Sequence, residues 1–193
     1  MPIFFIRKEI ITFVSDYLLM IKKHAILKSA LTLFAQQGIA GTSTRQIAEH
    51  AKVSEGLIFR HFKHKKGLVA AIVNFGKEKN EALLEEIRAI ESPKKALKTT
   101  IMNLQRLRQE DGPFWRLVFQ MKFQSQKEVI SFSDSFLEST TKAFKDLKFA
   151  QAKIEATLLL NSLEGLFYKA LTIDDFALAP LLELMVKKYQ LNE

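Results

Sequence analysis

The chain has 193 residues, 48% of them apolar, with 29 lysines and arginines against 21 aspartates and glutamates. That is enough apolar material for one sizeable core or for two helical parts sharing a chain, and the absence of cysteine excludes disulfides, thiolate metal sites and a cysteine nucleophile. Residues 22–66 hold nine basic groups against Glu49 and Glu55, net +7, while residues 1–21 are neutral and residues 67–193 carry net +1; a segment so biased suits a phosphate backbone or a plain solvated surface.

Arg7, Lys8, Asp16, Lys22 and Lys23 interrupt the most apolar end of the chain, so no membrane span is predicted. No basic leader and no small-residue cleavage site mark a secretory signal, and a cytoplasmic location is expected. Phe13, Val14, Tyr17 and Leu18 recur at helical spacing. Residues 1–20 therefore read either as an extra helix or as an extension upstream of a start at Met20. Ile26, Ala30, Leu33 and Phe34 form the next stripe, which Gly38 ends. Glycine and proline are scarce, and no alternating apolar run is bounded by hairpin dipeptides, so an all-α chain is predicted.

Ser43-Thr44-Arg45-Gln46 has the spacing of a capping box, which predicts a helix starting at Thr44. Ile47, Ala48 and Ala51 give that helix a short, small-residue face against which a second helix can cross closely. Lys52-Val53-Ser54 then reads as a tight connection in which Val53 plugs the core and Ser54 caps a helix over Glu55–His61. Within it Ile58 and Phe62 point inward by their four-residue spacing, leaving Glu55, Leu57, Arg60 and His61 outward. Two short helices joined by about three residues are the geometry of a DNA-reading helix-turn-helix. A leucine facing outward at Leu57 suits contact with thymine methyl groups or sugars. His61 and His64 have an H-x-x-H spacing, but no further ligand stands nearby to complete a zinc site, so no metal is predicted.

The run Thr42-Ser43-Thr44-Arg45-Gln46-Ile47-Ala48, then Ala51 through Phe62, then Lys63-His64-Lys65-Lys66-Gly67-Leu68, resembles the N-terminal domain of the TetR family of repressors. The resemblance spans about Ile21 to Val73. It implies that Arg45 contacts base or phosphate, that Ser54, Glu55, Gly56 and Leu57 open the groove-facing helix, and that Gly56 allows close backbone approach. It also implies that Phe59 and His61 stand at phosphate-touching positions and that Lys65, with Lys66 beside it, holds phosphate. Three residues depart from the pattern. Phe59 replaces a tyrosine and loses its hydroxyl; Lys52 replaces a turn glycine, which suggests a turn tolerant of a side chain and adds a phosphate contact; His64 replaces an Asn or Ser and weakens the cap of the following helix.

A long amphipathic run over Lys65–Ile90 follows, ended by Ser92-Pro93. Asp111-Gly112-Pro113 marks another break, with later helices predicted over Pro113–Gln124, Phe132–Leu147, Ala150–Leu171 and Phe176–Leu191. The expected organisation is residues 1–20 as extension or extra helix, 21–66 as DNA-binding domain and 67–193 as a helical domain for effector binding and dimerisation. Aromatics crowd this last part, among them Phe114, Trp115, Phe119, Phe123, Phe132, Phe136 and Phe167. Most are expected to fill core. The resemblance implies an effector pocket, for which Asn103, Trp115, Phe119 and Gln120 are the candidates, and the aromatic bias suits an apolar or planar molecule.

The stripe containing Leu159, Leu163 and Phe167, and the apolar helix containing Leu182 and Met185, fit internal burial or a subunit interface equally by pattern; the resemblance implies a homodimer built from the last two helices. Double-stranded DNA carrying a pseudo-palindromic operator is then the expected partner, released by a small effector. No cofactor is expected. An enzyme lacks support because no nucleophile elbow, phosphate-binding glycine loop or metal triad occurs. A helical interaction module, or a ligand-binding protein without DNA function, is the alternative.

Overall fold

In the computed structural model of the chain, residues 3–124 and 132–192 are described, with side chains described for residues 19–121 and 134–192. The expected packing of Phe13, Val14, Tyr17, Leu18, Phe123 and Phe132 lies outside the described residues. Among those described, the regular structure is helical throughout: α1 (Ile3–Gly41), α2 (Thr44–His50), α3 (Glu55–Phe62), α4 (Lys65–Arg88), α5 (Pro93–Gln124), α6 (Phe132–Asp146), α7 (Ala152–Thr172) and α8 (Leu178–Lys188). Backbone packing separates two compact units, Met1–Ile72 and Val73–Glu193.

In the first unit, residues 3–20 run in the same helix as the stripe that follows, and α1 is interrupted at Gly38, where φ is +74°. Only glycine takes that conformation without steric cost. Ile26, Ala30 and Phe34 from α1, Ile47 and Ala48 from α2, Ile58 and Phe62 from α3, and Leu68 from α4 are all buried. Ala48, on the inner face of α2, leaves room for a close crossing, and α2 contacts both α1 and α3.

In the second unit α7 is central, in contact with α5, α6 and α8. Its core joins Leu97 and Ile101 to Phe144, Ala156, Leu159, Leu163 and Leu182. The predicted break near Pro113 is an interruption inside α5 at Asp111 (φ −136°, ψ 25°), because proline has no N–H to donate and its ring crowds the preceding turn. Asp111 accepts a hydrogen bond from the Lys79 ammonium at 2.6 Å, so the break is also an ion-pair site.

The expected interface stripe is corrected here. Leu159, Leu163, Phe167 and Leu182 are between 0 and 3% exposed, within one protomer's own core, and Met185 packs half-buried against it. The strongest apolar stripe of a helix goes to the nearest core, and a second, weaker stripe is left over. On α7 and α8 the leftover face holds Ile154, Leu158, Leu181 and Leu184, of which Ile154 and Leu184 are 63% and 62% exposed.

Candidate functional site

The capping box forms as its spacing requires. The Ser43 hydroxyl accepts the Gln46 N–H at 3.2 Å, and Gln46 Oε1 accepts the Ser43 N–H at 2.7 Å, so two of the unpaired amides at the start of α2 are satisfied. One residue further on, the Thr44 hydroxyl donates to Glu55 Oε1 at 2.6 Å and ties the first residue of α2 to the first of α3. Glu55 is thus engaged inside the motif. The other tie comes from α1, where buried Ser29 shares a 3.0 Å hydrogen bond with the His50 imidazole.

The turn between α2 and α3 needs a left-handed residue, and Lys52 supplies it with φ +55°. The turn tolerates a side chain, as the lysine shows, but the backbone keeps the conformation that glycine favours, and the lysine takes it at a cost of roughly 1–2 kcal/mol. Lys52→Gly removes that strain and gives back part of it as added freedom in the unfolded chain. A net gain of about 0.5–1 kcal/mol is expected, read as a higher urea midpoint at unchanged slope. No gain would mean that the turn is unstrained.

Ser54 stands at the start of α3, yet its hydroxyl makes no capping bond. Its carbonyl accepts the Leu57 N–H at 3.0 Å instead. Along the helix Ile58 and Phe62 are buried, Leu57 is half-buried rather than outward, and Phe59 is 46% exposed beside exposed Gly56 and Arg60. His61 is partly covered, and its buried Nε2 has no hydrogen-bond partner among the described residues. Burial, reinforced by the positive charges of Lys23 and Arg60, lowers its pKa below the usual histidine range, so the ring is neutral at pH 7.

Lys65 is committed inward more than expected. Its ammonium donates to the carbonyls of Ile39 at 2.7 Å and Thr42 at 2.9 Å, binding the start of α4 to the end of α1. Lys66 is exposed. His64 stands at the start of α4, where its Nδ1 accepts the Gly67 N–H at 2.9 Å in the manner of an asparagine oxygen. Thr42, missed in sequence, is buried and donates to the Gly38 carbonyl at 2.9 Å. Arg45 forms only an exposed i, i+4 pair with Glu49 at 3.1 Å, an arrangement weak enough to yield to a phosphate. The exposed set Arg45, Lys52, Arg60, Lys63 and Lys66 therefore lies in the segment of net +7, on and around an eight-residue helix anchored from behind.

The second unit contains a small apolar pocket walled by α4, α5, α6 and α7. Of the candidate effector contacts, Asn103 and Phe119 line it. Trp115 lies in the adjoining aromatic cluster, its ring centroid 4.7 Å from Phe114 and 6.4 Å from Phe167, and Gln120 is not part of the wall. No helix among the described residues is long and apolar enough to cross a membrane.

Residues 26–72 match the family model for bacterial regulatory proteins of the tetR family. Over 61 residues the chain is 43% identical to the HTH-type transcriptional regulator YvkB of Bacillus subtilis, covering 32% of each protein. Over 50 residues it is 52% identical to the HTH-type transcriptional repressor Rv3405c of Mycobacterium tuberculosis, 26% of this chain and 27% of that one. The match thus spans about a third or less of these curated relatives. Among solved structures, the TetR family regulator PfmR from Thermus thermophilus has a TM-score of 0.69 at 19% identity, covering 84% of this chain and 94% of its own. AibR in complex with isovaleryl coenzyme A and operator DNA has a TM-score of 0.65 at 17% identity, over 86% and 97%. At such identities the structural likeness carries the fold alone, whereas the helix-turn-helix carries its own sequence signature. By that signature residues 26–72 form a helix-turn-helix domain like that of the bacterial tetR family, and the all-helical fold is similar to that of solved TetR family regulators.

Proposed function

We propose that this protein is a cytoplasmic transcriptional repressor that binds a pseudo-palindromic operator as a homodimer and leaves it when a small apolar effector occupies the pocket of the second unit. The observation that carries the reading is the braced α2–α3 pair. Ile58 and Phe62 hold α3 from within, Thr44 and Glu55 hold its start, and Gly56, Phe59 and Arg60 remain outward in the basic segment. Such a helix enters a major groove while the surrounding cations engage phosphates. Arg45, Lys52, Arg60 and Lys66 are assigned to the DNA surface. Ser43, Ser54, Leu57, His61 and Lys65 act by shaping it, Lys65 with one remaining ammonium proton for a phosphate.

The dimer is assigned to the outer faces of α7 and α8, where Ile154, Leu158, Leu181 and Leu184 are exposed. Two-fold pairing there places two copies of α3 for two half-sites. Repression is favoured by the name of the Rv3405c relative and effector control by the AibR complex, each a property of that protein. The test is selection of bound duplexes from a random pool, followed by anisotropy titration at several salt concentrations. A palindromic consensus and a steep loss of affinity with salt, reduced in slope by Arg45→Ala and Arg60→Ala, are expected. No retention of any duplex at low salt would overturn the reading.

Gly56 offers a sharper check. A Cβ there would meet nothing within 4 Å in the free protein. Gly56→Ala is therefore expected to leave the fold intact, or to stabilise it by up to about 1 kcal/mol through helix propensity, while weakening the selected operator by about tenfold, equivalent to 1.4 kcal/mol. Equal affinity for the two proteins would show that the backbone of α3 stays clear of the DNA.

A further inference from the structure

We infer that the pocket of the second unit takes a compact, uncharged molecule bearing a hydrogen-bond acceptor such as an ester or amide carbonyl, which the side-chain amide of Asn103 binds. The inference rests on the effector-controlled reading above and specifies the chemistry of the effector. Most of the described pocket wall is apolar, with Leu83 and Ile87 from α4, Leu107 from α5, Phe136 from α6, and Leu163 and Phe167 from α7. Thr100 is the exception on the α5 face, but its hydroxyl already donates to the Ala96 carbonyl at 2.9 Å. Asn103, one turn further along, is 9% exposed, and its buried Nδ2 donates to no acceptor among the described residues. Buried amide donors in folded proteins nearly always have a partner, because leaving one unmade in a low-dielectric site is costly. A ligand oxygen seated in the pocket supplies the missing acceptor.

Charge narrows the choice. Glu164 is the one ionisable residue in the described wall, and no lysine, arginine or histidine stands there. A carboxylate ligand would lose its hydration and find no cation among the described wall residues. An ammonium head would find no use for the Asn103 donor. A neutral carbonyl satisfies the amide and avoids both penalties.

The probes are methyl hexanoate, hexanoate and hexylammonium, titrated calorimetrically into the full chain and into Asn103→Leu, with Asn103→Ala as a second variant should the first not fold. Methyl hexanoate is expected to bind about tenfold or more tighter than either charged analogue, and loss of the Asn103 amide to weaken it about tenfold. The infrared carbonyl band of the bound ester should lie at lower frequency with the native protein and return to its free position with the variant, a change that a merely structural role for Asn103 would not produce. Hexanoate or hexylammonium binding as tightly as the ester, an ester affinity and band indifferent to Asn103, or no binding of any probe would each overturn the inference. Duplex retention on the same preparation separates the two readings. DNA bound without ester preference sinks only the effector chemistry, and Asn103-dependent ester binding without DNA sinks only the regulator.

Discussion

Adding a single methyl group at Gly67 is expected to destabilise the first unit by about 3 kcal/mol, the upper part of the range for overpacked sites. A Cβ at this position would overlap the carbonyl oxygen of Phe62, an atom of the backbone that no rotamer change can move aside. Relief requires shifting the link between α3 and α4, where Lys63 already sits at φ +64° and the Gly67 N–H is held by His64. Gly67→Ala should therefore lower the midpoint of unfolding followed by circular dichroism and also misplace the end of α3, so that duplex binding weakens even where the protein stays folded. A midpoint within error of the unmodified protein would show that the link is loose. Gly67 is required by the protein's own backbone, whereas the role proposed for Gly56 depends on what the helix approaches.

The double substitution Leu158→Glu with Leu184→Glu is expected to yield folded monomers. Leu158 is 51% and Leu184 62% exposed in the single chain, so neither change removes core packing. Charge on both helices makes the paired surface costly to bury. Sedimentation should give the monomer mass, and operator affinity should fall by roughly 100-fold or more as the second half-site contact ceases to be intramolecular. Leu182→Ala, by contrast, removes a fully buried side chain and should cost about 2–5 kcal/mol in folding. A double variant that remains dimeric with unchanged operator affinity would place the interface elsewhere.

Legibility in the sequence followed the range of the interactions. Ser43 and Gln46, three residues apart, specify a cap by themselves, and Pro113 specifies a break by itself. The four-residue spacing of Ile58 and Phe62 identified the inner face of α3 correctly. The resemblance implies a phosphate role for Lys65, while the carbonyls of Ile39 and Thr42 that hold it lie 26 and 23 residues away and leave no local signal in the sequence. The same limit applies to α7. The stripe of Leu159, Leu163 and Phe167 is apparent from spacing, but whether it meets the core or a partner depends on where α5, α6 and α8 lie. For His64 the residue type alone does not show that a ring nitrogen stands in the place of an amide oxygen.

Trp115 is the chain's one tryptophan, 1% exposed against Phe114 and Phe167 in the unit that begins at Val73. Its emission consequently monitors melting of that unit alone, whereas the far-ultraviolet helical signal sums both. Superimposable transitions by the two methods would identify the chain as one cooperative block; separated transitions would give each unit its own midpoint. The native sequence thus carries an optical label for domain-resolved thermodynamics, without any engineered fluorophore.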